Sequence, residues 1–214
     1  MTFSFPKIYP ILDSSFIPAA GRAEFLRRLG GELTEAGVTL LEYRNKTGAE
    51  AELLSDAAIL RAAMPSEKVK LILDDRVDLI EQVYFDGVHV DTGDATPAEA
   101  RRLLGPDRII GTFGGGGTGM VPGILETPAS YFSIGVVFPT RTKQVTSSPM
   151  GIEGVKRLRA EAGPNPVLVA IGGITLATAP AILAAGASVV AIAGGLFRQP
   201  DPAAEFLKWM DELG

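Results

Sequence analysis

Short apolar runs alternate with longer amphipathic segments along almost the whole chain. The short runs have the length and the flanking glycine, proline and aspartate residues that are typical of β-strands, and the longer segments repeat their apolar positions with a helical period. Strands are predicted over residues 8–12, 40–44, 69–73, 87–90, 109–112, 131–134, 167–171 and 189–193. Helices are predicted over residues 22–36, 50–64, 76–83, 97–104, 151–162, 176–185 and 202–213. This alternation of strand and helix predicts a parallel sheet.

The number of repeats and the chain length together indicate how that sheet closes. Eight strands in 214 residues predict an α/β fold, a single (β/α)8 TIM barrel with few insertions. No Pro/Ser-rich linker or run of charges divides the chain, so residues 1–214 are expected to form one barrel domain.

The fifth strand–helix unit departs from this regularity, because residues 111–123 (GTFGGGGTGMVPG) contain seven glycines. So many glycines disfavour a helix, and we expect a shortened, glycine-rich fifth βα unit whose helix is reduced to about residues 121–126. The stretch matches neither the phosphate-binding pattern GxxxxGK[ST] nor a GxGxxG segment that joins a strand directly to a helix. We therefore expect a mobile loop at residues 114–119.

Residues 167–197 form an uncharged stretch of 31 residues, which by length alone would suggest a membrane span. Several glycines and Pro180 interrupt it, however. Parallel strands that are covered on both faces also read as continuous apolar runs. We interpret the stretch as a buried strand–helix–strand unit and predict no membrane partner.

The composition, with 46% hydrophobic and 21% charged residues, is typical of a compact globular protein. The net charge of −5 and the lack of a Lys/Arg stripe argue against nucleic acid or an anionic membrane as a general partner. The chain has no cysteine, which excludes disulfides, thiolate metal sites and cysteine nucleophiles. With an N-terminal segment that does not resemble a secretion signal, this composition predicts a cytoplasmic protein. The oligomeric state stays open, with a homo-oligomer among the options.

Polar side chains follow most of the predicted strands, at the ends where barrel enzymes build their active sites. The candidate residues there are Glu42, Arg44, Lys46, Asp74, Asp75, Arg76, His89, Asp91, Asp94, Thr140, Arg141, Thr142, Lys143, Gly172, Gly173, Gly194 and Gly195. Because alternate residues of a strand share a face, Glu42, Arg44 and Lys46 are expected to point the same way. The cations Arg44, Lys46 and Lys143 suit a polyanion such as a pyrophosphate, since Arg offers a planar fork and Lys a compact charge.

Two further groups at these strand ends could hold ligands. Asp75 and Asp94, from neighbouring loops, suit Mg²⁺, which takes one or two protein carboxylates and completes its shell with water and phosphate oxygens. The backbone N–H groups of the glycine pairs after the seventh and eighth strands suit a monophosphate. Structural alternatives exist: the aspartates could cap helices, the cations could be solvated loop residues, and the glycines could serve tight turns. We interpret the only histidine, His89, as a hydrogen-bonded structural residue.

Six motifs are distributed over nearly the whole chain: YRNK (43–46), LDDRVDL (73–79), DGVHVDTGD (86–94), IIG (109–111), FPTRTK (138–143) and AIGGIT (170–175). In order and spacing they resemble the motifs of thiamine phosphate synthases. The resemblance implies an Mg²⁺-dependent transferase that condenses hydroxymethylpyrimidine pyrophosphate with thiazole phosphate, forming thiamine phosphate and pyrophosphate. Its implied partners are therefore small phosphorylated molecules.

The resemblance also implies a role for each matching position. Arg44, Lys46 and Lys143 would be catalytic through their hold on the pyrophosphate, and Asp75 and Asp94 would bind Mg²⁺. The substrate-binding positions would be Glu42, Asp74, Phe113, Thr140, Arg141, Thr142, Gly173, Ala193 and Gly194. Within that set, the thiazole phosphate would be held by Thr140, Thr142, Gly173 and the backbone of Ala193 and Gly194.

Three positions depart from the family pattern, which usually has Gln, Asn and Ser where this chain has Glu42, Asp74 and Phe113. At these strand ends, three cations, four carboxylates and one Mg²⁺ give the mouth of the barrel a formal charge of +1. With Gln and Asn in place of Glu42 and Asp74, the same sum would be +3. We therefore expect weaker pyrophosphate binding, unless a second Mg²⁺ binds or neighbouring charges keep a carboxyl protonated.

Because of these departures, two other functions stay open. One is a non-catalytic or regulatory relative that binds thiazole phosphate or thiamine phosphate. The other is an isomerase similar to thiazole tautomerases, which would need a histidine after the fifth strand, where this chain has Thr112, Phe113 and glycines. A Schiff-base aldolase would use a lysine at the end of the sixth strand, but the segment SIGVVFP (133–139) contains none.

Overall fold

The computed structural model describes residues 3–46, 48–91, 93, 95–140 and 148–214. In that part of the chain, eight parallel strands and one short antiparallel strand form a single sheet. They are β1 (Ile8–Asp13), β2 (Leu40–Arg44), β3 (Lys70–Asp74), β4 (Gly87–Val90), β5 (Ile109–Gly116), β6 (Gly119–Met120), β7 (Tyr131–Gly135), β8 (Leu168–Ile171) and β9 (Val189–Ile192). The order β4-β3-β2-β1-β9-β8-β7-β5 is closed by pairing of β4 with β5, so the predicted (β/α)8 TIM barrel is confirmed.

Strand alternation divides the apolar side chains between two cores. One face of each strand contributes to a cluster inside the barrel, which includes Tyr9, Leu40, Ile72 and Tyr131. The other face packs against the helices in a larger cluster. Glu42 shares the inward-facing parity of Leu40 on β2, and for this reason a carboxyl group enters the barrel interior.

Helices connect the strands and cover the outside of the barrel. They are α1 (Arg22–Glu35), α2 (Glu50–Ala63), α3 (Ile80–Val83), α4 (Pro97–Leu104), α5 (Gly151–Ala162), α6 (Ala179–Ala184), α7 (Gly194–Phe197) and α8 (Pro202–Leu213). The bounds of α4 agree with the prediction because Thr96 and Glu99 form a capping box and Pro97 occupies the first turn. The short α7 was not predicted, since its two glycines disfavour a helix.

The glycine-rich fifth unit differs from the predicted loop. Strand β5 continues to Gly116 and turns back into β6, with Gly115 paired to Met120 and Gly116 to Gly119. A Cβ on Gly115 would lie 2.6 Å from the carbonyl oxygen of Gly119, so this pairing requires glycine. The loop prediction is wrong over these residues, whereas the shortened helix corresponds to a 3-10 turn at Ile124–Glu126.

The uncharged stretch at residues 167–197 folds as β8, α6, β9 and α7, in agreement with the strand–helix–strand interpretation. Within the described ranges, no helix has both the length and the apolar character needed to cross a membrane.

Candidate active site

The sequence-predicted site residues converge on one cavity of about 570 Å³ at the C-terminal ends of the barrel strands. Those that line it are Glu42, Arg44, Lys46, Asp74, His89, Asp91, Phe113, Thr140, Gly172, Gly173, Ala193, Gly194 and Gly195. Asp75 follows β3 and pairs with Lys46 at the rim of the cavity. Asp94, Arg141, Thr142 and Lys143 lie outside the residues that the structure describes.

A network of ion pairs occupies the β1–β2–β3 side of this mouth. Arg44 pairs through one guanidinium nitrogen with Asp13, and its Nε lies 3.3 Å from Oδ2 of Asp74. Lys46 Nζ lies 3.2 Å from the same Asp74 oxygen and also pairs with Asp75. Both cations are thus held in place by carboxylates, and Arg44 is the more buried of the two. An anionic substrate that binds here must compete with these carboxylates.

Asp13 is a site residue that the sequence analysis missed. It ends β1 directly opposite Arg44 in the strand register. Burial raises the pKa of Asp13, but hydrogen bonds from Ser15 and Arg44 outweigh it and hold the pKa below its ordinary value. Asp13 is therefore an anion that fixes the Arg44 guanidinium. A polar residue at a predicted strand end was the only signal in the sequence.

Asp74 and Asp75 occupy different environments although they are adjacent. Burial, together with the charge of Asp75, raises the pKa of Asp74 to about 6. The backbone turns sharply after β3, with positive φ angles of 60° at Asp75 and 43° at Arg76. Arg76, not Asp75, is the N-cap residue of the following 3-10 turn, which has no side-chain cap. The structure thus gives no support to the alternative that Asp75 only caps a helix.

Lys46 keeps its charge in this arrangement. Burial lowers its pKa, but the hydrogen bond to Asp75 and the charge of Asp74 more than compensate and raise the pKa above the ordinary value. The prediction that Glu42, Arg44 and Lys46 point the same way is confirmed, because all three line the same cavity. Their shared direction results from the extended backbone of β2 and the residues that follow it.

A hydrogen-bonded chain crosses the interior of the barrel below the mouth. The hydroxyl of Tyr9 lies 2.9 Å from Glu42 and 3.0 Å from the hydroxyl of Tyr131, which in turn lies 3.0 Å from Nδ1 of His89. His89 is thus the hydrogen-bonded residue that the sequence predicts. Tyr9 and Tyr131 were missed, although both occupy inward-facing strand positions.

Glu42 is only 4% exposed within this chain. Burial, reinforced by the negative charge of Asp74, raises the pKa of Glu42 to about 8, against which the Tyr9 hydrogen bond and the two nearby cations act. The carboxyl group is therefore largely protonated at neutral pH. This finding bears on the charge of the mouth, because a neutral Glu42 removes one of the negative charges counted from the sequence.

The glycine pair after β8 allows close approach of the chain to its neighbours. Gly172 and Gly173 have positive φ angles of 103° and 64°. A Cβ on Gly173 would lie 2.4 Å from the carbonyl oxygen of Pro139 and 2.8 Å from Cβ of Phe138. Glycine is therefore required here by packing as well as by backbone conformation, and the same turn places Gly173 on the wall of the cavity.

Phe113 and Arg198 also line the cavity wall. Phe113 projects from β5 into the lining, where its ring supplies bulk but no hydrogen-bond donor. Arg198 follows α7, and its guanidinium lies 5.3 Å from the centre of the Phe16 ring. Arg198 was missed because it follows a helix that was not predicted.

The donor set at the rim is compatible with Mg²⁺. This ion prefers oxygen ligands and often uses only one or two protein carboxylates, and Asp75 offers such a carboxylate beside Lys46. In the described part of the chain, no three His, Cys, Asp or Glu side chains come together as a metal site. The carboxylate of Asp75 thus suits a hard cation shared with a phosphate ligand.

Comparisons with known proteins agree with this geometry. The sequence pattern of the family described as thiamine monophosphate synthase matches residues 8–196. The thiamine-phosphate synthase of Koribacter versatilis is 38% identical over 95% of both chains. The thiamine-phosphate synthase of Agrobacterium fabrum is 39% identical over 76% of this chain and 74% of its own.

A solved structure supports the same assignment. The thiamine phosphate pyrophosphorylase from Pyrococcus furiosus superposes with a TM-score of 0.75 at 26% identity, covering 97% of each chain. Sequence pattern, curated relatives and tertiary structure thus agree over almost the whole length of the barrel. The chain therefore belongs to the thiamine monophosphate synthase family of transferases.

Proposed function

We propose that this protein is a thiamine phosphate synthase that joins hydroxymethylpyrimidine pyrophosphate to thiazole phosphate and releases pyrophosphate. Family membership supports this activity. The structural observation that carries it is the placement of Arg44 and Lys46 beside Asp74 and Asp75 at the rim of the 570 Å³ cavity. This arrangement provides fixed cations and carboxylates where a pyrophosphate leaving group would depart.

The reaction requires one bond to break and one to form. The bond between the pyrimidine methylene carbon and the pyrophosphate oxygen breaks, and its electron pair leaves with the pyrophosphate. The thiazole ring nitrogen then uses its lone pair to bond to the methylene carbon, so no protein nucleophile is needed. The main task of the protein is to stabilise the charge on the leaving group by preorganised electrostatics.

In this proposal Arg44 and Lys46 carry most of that task in the described part of the site. Asp13, Asp74 and Asp75 hold their side chains at the cavity, so the cations are in position when the substrate arrives and exchange carboxylate contacts for pyrophosphate oxygens. Lys143 is proposed as a third cation on the basis of its motif. Asp75 and Asp94 would hold Mg²⁺, which when bound would neutralise part of the pyrophosphate charge.

The monophosphate of the thiazole substrate is proposed to bind on the opposite side of the mouth. Gly173, Ala193, Gly194 and Thr140 line this part of the cavity, and Thr142 is added from the FPTRTK motif. Backbone N–H groups near glycines can approach phosphate oxygens closely. The two anionic groups would thus be separated, with the reacting carbon and nitrogen between them.

A protonated Glu42 offers an explanation for the departure from the usual glutamine. A neutral carboxyl group has one hydroxyl donor and one carbonyl acceptor, so it can take over part of the hydrogen bonding of an amide. Oε2 accepts a hydrogen bond from Tyr9 inside the barrel. With Glu42 neutral, the charge available to attract pyrophosphate is larger by one than the formal count suggests.

A non-catalytic relative that binds only phosphorylated ligands is the second candidate, and Phe113 favours it. Its ring occupies the cavity wall where the family pattern has a serine that contacts pyrophosphate. The tautomerase alternative has less support, because His89 lies on β4 and is hydrogen-bonded to Tyr131. We also propose a cytoplasmic location, on the composition of the chain.

The activity can be tested with purified protein, both substrates and Mg²⁺, by oxidising any thiamine phosphate to fluorescent thiochrome. Arg44→Ala and Lys143→Ala should abolish product, whereas Lys156→Ala, which removes an exposed lysine paired with Glu153, should not. Product that is formed by the unaltered protein but not by Arg44→Ala or Lys143→Ala supports the synthase activity. Binding of thiazole phosphate without any turnover by the unaltered protein would favour the non-catalytic relative.

A further inference from the structure

Arg198 is held at the cavity wall by aromatic rings. Its guanidinium carbon lies 5.3 Å from the centre of the Phe16 ring. Phe16 in turn stacks on Phe197 with a centroid distance of 6.2 Å and an interplanar angle of 22°. These contacts give an exposed arginine a preferred position at the β9–β1 side of the mouth, where it contributes to the cavity lining.

The charge environment of Arg198 differs from that of the other described cations at the mouth. Arg44 and Lys46 are each paired with two carboxylates. In the described residues, by contrast, no carboxylate forms an ion pair with Arg198, and its guanidinium lies over the Phe16 ring. An incoming anion can therefore bind Arg198 without displacing a carboxylate of the described residues.

The position of Arg198 indicates which anion it would meet. It follows α7, which begins with Gly194 and Gly195, and all three residues line the cavity together with Gly173 and Thr175. This is the side of the barrel that the proposed function assigns to the monophosphate. A planar guanidinium can form paired hydrogen bonds with a phosphate.

We propose that Arg198 is a specificity-determining residue that binds the phosphate of the thiazole phosphate substrate and so favours the phosphorylated over the unphosphorylated acceptor. The proposal rests on the proposed synthase function for the identity of the acceptor. It assigns the phosphate a side-chain cation in addition to the glycine backbone. It also separates the cations at the mouth by role, with Arg44 and Lys46 for pyrophosphate and Arg198 for the monophosphate.

The test compares Arg198→Ala, Arg198→Met and Arg198→Lys with the unaltered protein. Arg198→Met keeps an apolar stem beside Phe16, so a loss shared by the Ala and Met variants reports on charge and not on packing. Arg28→Ala is the matched control, since Arg28 also lies over an aromatic ring, at 5.9 Å from the Phe25 centroid, but on the exposed face of α1. Thermal unfolding of each variant confirms that it is folded.

Two readouts decide the outcome. In steady-state turnover, loss of the charge should raise KM for thiazole phosphate about tenfold, leave KM for the pyrimidine pyrophosphate unchanged, and have little effect on the unphosphorylated thiazole alcohol. In calorimetric titrations without the second substrate, affinity for thiazole phosphate should fall by the same factor. The KM and the affinity of Arg198→Lys for thiazole phosphate should lie between those of Arg198→Ala and those of the unaltered protein. Arg28→Ala should match the unaltered protein in both quantities.

The two readouts keep this inference separate from the proposed function. If the unaltered protein binds thiazole phosphate but makes no product, the synthase proposal fails and the calorimetric comparison alone decides the role of Arg198. Equal affinity of the unaltered, Ala and Met proteins for thiazole phosphate would overturn the inference. A rise in KM confined to the pyrimidine pyrophosphate, or an equal loss for the phosphorylated and unphosphorylated acceptors, would overturn it as well.

Discussion

The hydroxyl of Tyr9 donates a hydrogen bond of 2.9 Å to Oε2 of Glu42 inside the barrel, where both side chains are almost completely buried. A glutamate at this depth is more stable in its neutral form, because removal from water disfavours the charged form. The substitution of Glu42 for the usual glutamine of the family is therefore a smaller change in charge than the sequence suggests. It also makes the site sensitive to pH.

The first prediction concerns this sensitivity. The pKa of Glu42 rises from an ordinary 4.5 to about 8 on folding, so the folded protein retains a proton that the unfolded chain releases. The stability contributed by this proton is fully present below pH 4.5 and is lost as pH rises through about 8. Glu42→Gln has no such proton, and its melting temperature relative to the unaltered protein should increase steadily across this range. Thermal unfolding at several pH values measures the difference.

The matched control for Glu42 is Glu35→Gln, which alters an exposed residue at the end of α1. Its melting temperature should follow that of the unaltered protein at every pH. Parallel curves for Glu42→Gln and the unaltered protein would show that Glu42 does not carry a retained proton.

The second prediction concerns the cations that Asp74 engages. Oδ2 of Asp74 lies 3.3 Å from Nε of Arg44 and 3.2 Å from Nζ of Lys46, so Asp74→Asn should release both cations for a polyanion. Affinity for pyrophosphate in the presence of Mg²⁺ should rise roughly threefold. Isothermal titration measures this change. Asp78→Asn, an exposed residue paired with Arg76, is the control, and unchanged or weaker binding by Asp74→Asn would refute the charge argument.

The third prediction concerns the bulk of Phe113 at the cavity wall. Phe113→Ser restores a hydroxyl donor at the proposed pyrophosphate subsite, and we expect kcat/KM for the pyrimidine pyrophosphate to increase about tenfold through one charge-assisted hydrogen bond. Phe113→Ala removes the ring without adding a donor and separates volume from hydrogen bonding. If the Ala and Ser variants behave alike, the hydroxyl has no role, and the effect lies in the volume of the ring.

The fourth prediction concerns packing inside the barrel. A Cβ on Gly111 would lie 2.0 Å from Cζ of Tyr131, whose ring is buried and hydrogen-bonded to Tyr9 and His89. Gly111→Ala should therefore lower the free energy of unfolding by roughly 1–3 kcal/mol, as is usual for overpacked cores. Urea denaturation measures the change.

Gly31→Ala is the contrasting substitution in the same denaturation experiment, because the added Cβ meets no other atom. Gly31 lies within α1, and nothing lies within 4 Å of the added Cβ, so this change should raise the free energy of unfolding by up to about 1 kcal/mol. Equal effects of the two substitutions would contradict the steric interpretation of Gly111.

Much of the fold was predictable from local pattern. The strands and most helices lie within a few residues of the predicted bounds because period and capping residues are local properties, as at Thr96 and Glu99 in the capping box of α4. The glycine-rich segment was not predictable in the same way. Its pairing with β6 is stabilised by contacts from α5, where Arg157 binds the carbonyl of Gly117 and Glu161 accepts from the backbone of Met120, and those partners are distant in sequence.

Local pattern alone is enough to predict that Glu42, Arg44 and Lys46 share one face, because the alternation of side chains along an extended strand needs no tertiary information. The groups that surround them depend on how the strands pair and pack. Pairing of β1 with β2 brings Asp13 to Arg44 and Tyr9 to Glu42, and burial within the closed sheet determines which carboxyl keeps its proton. The charge state of the site is thus a property of the assembled barrel, since solvation and the distances between charges exist only after strands from remote parts of the chain have paired.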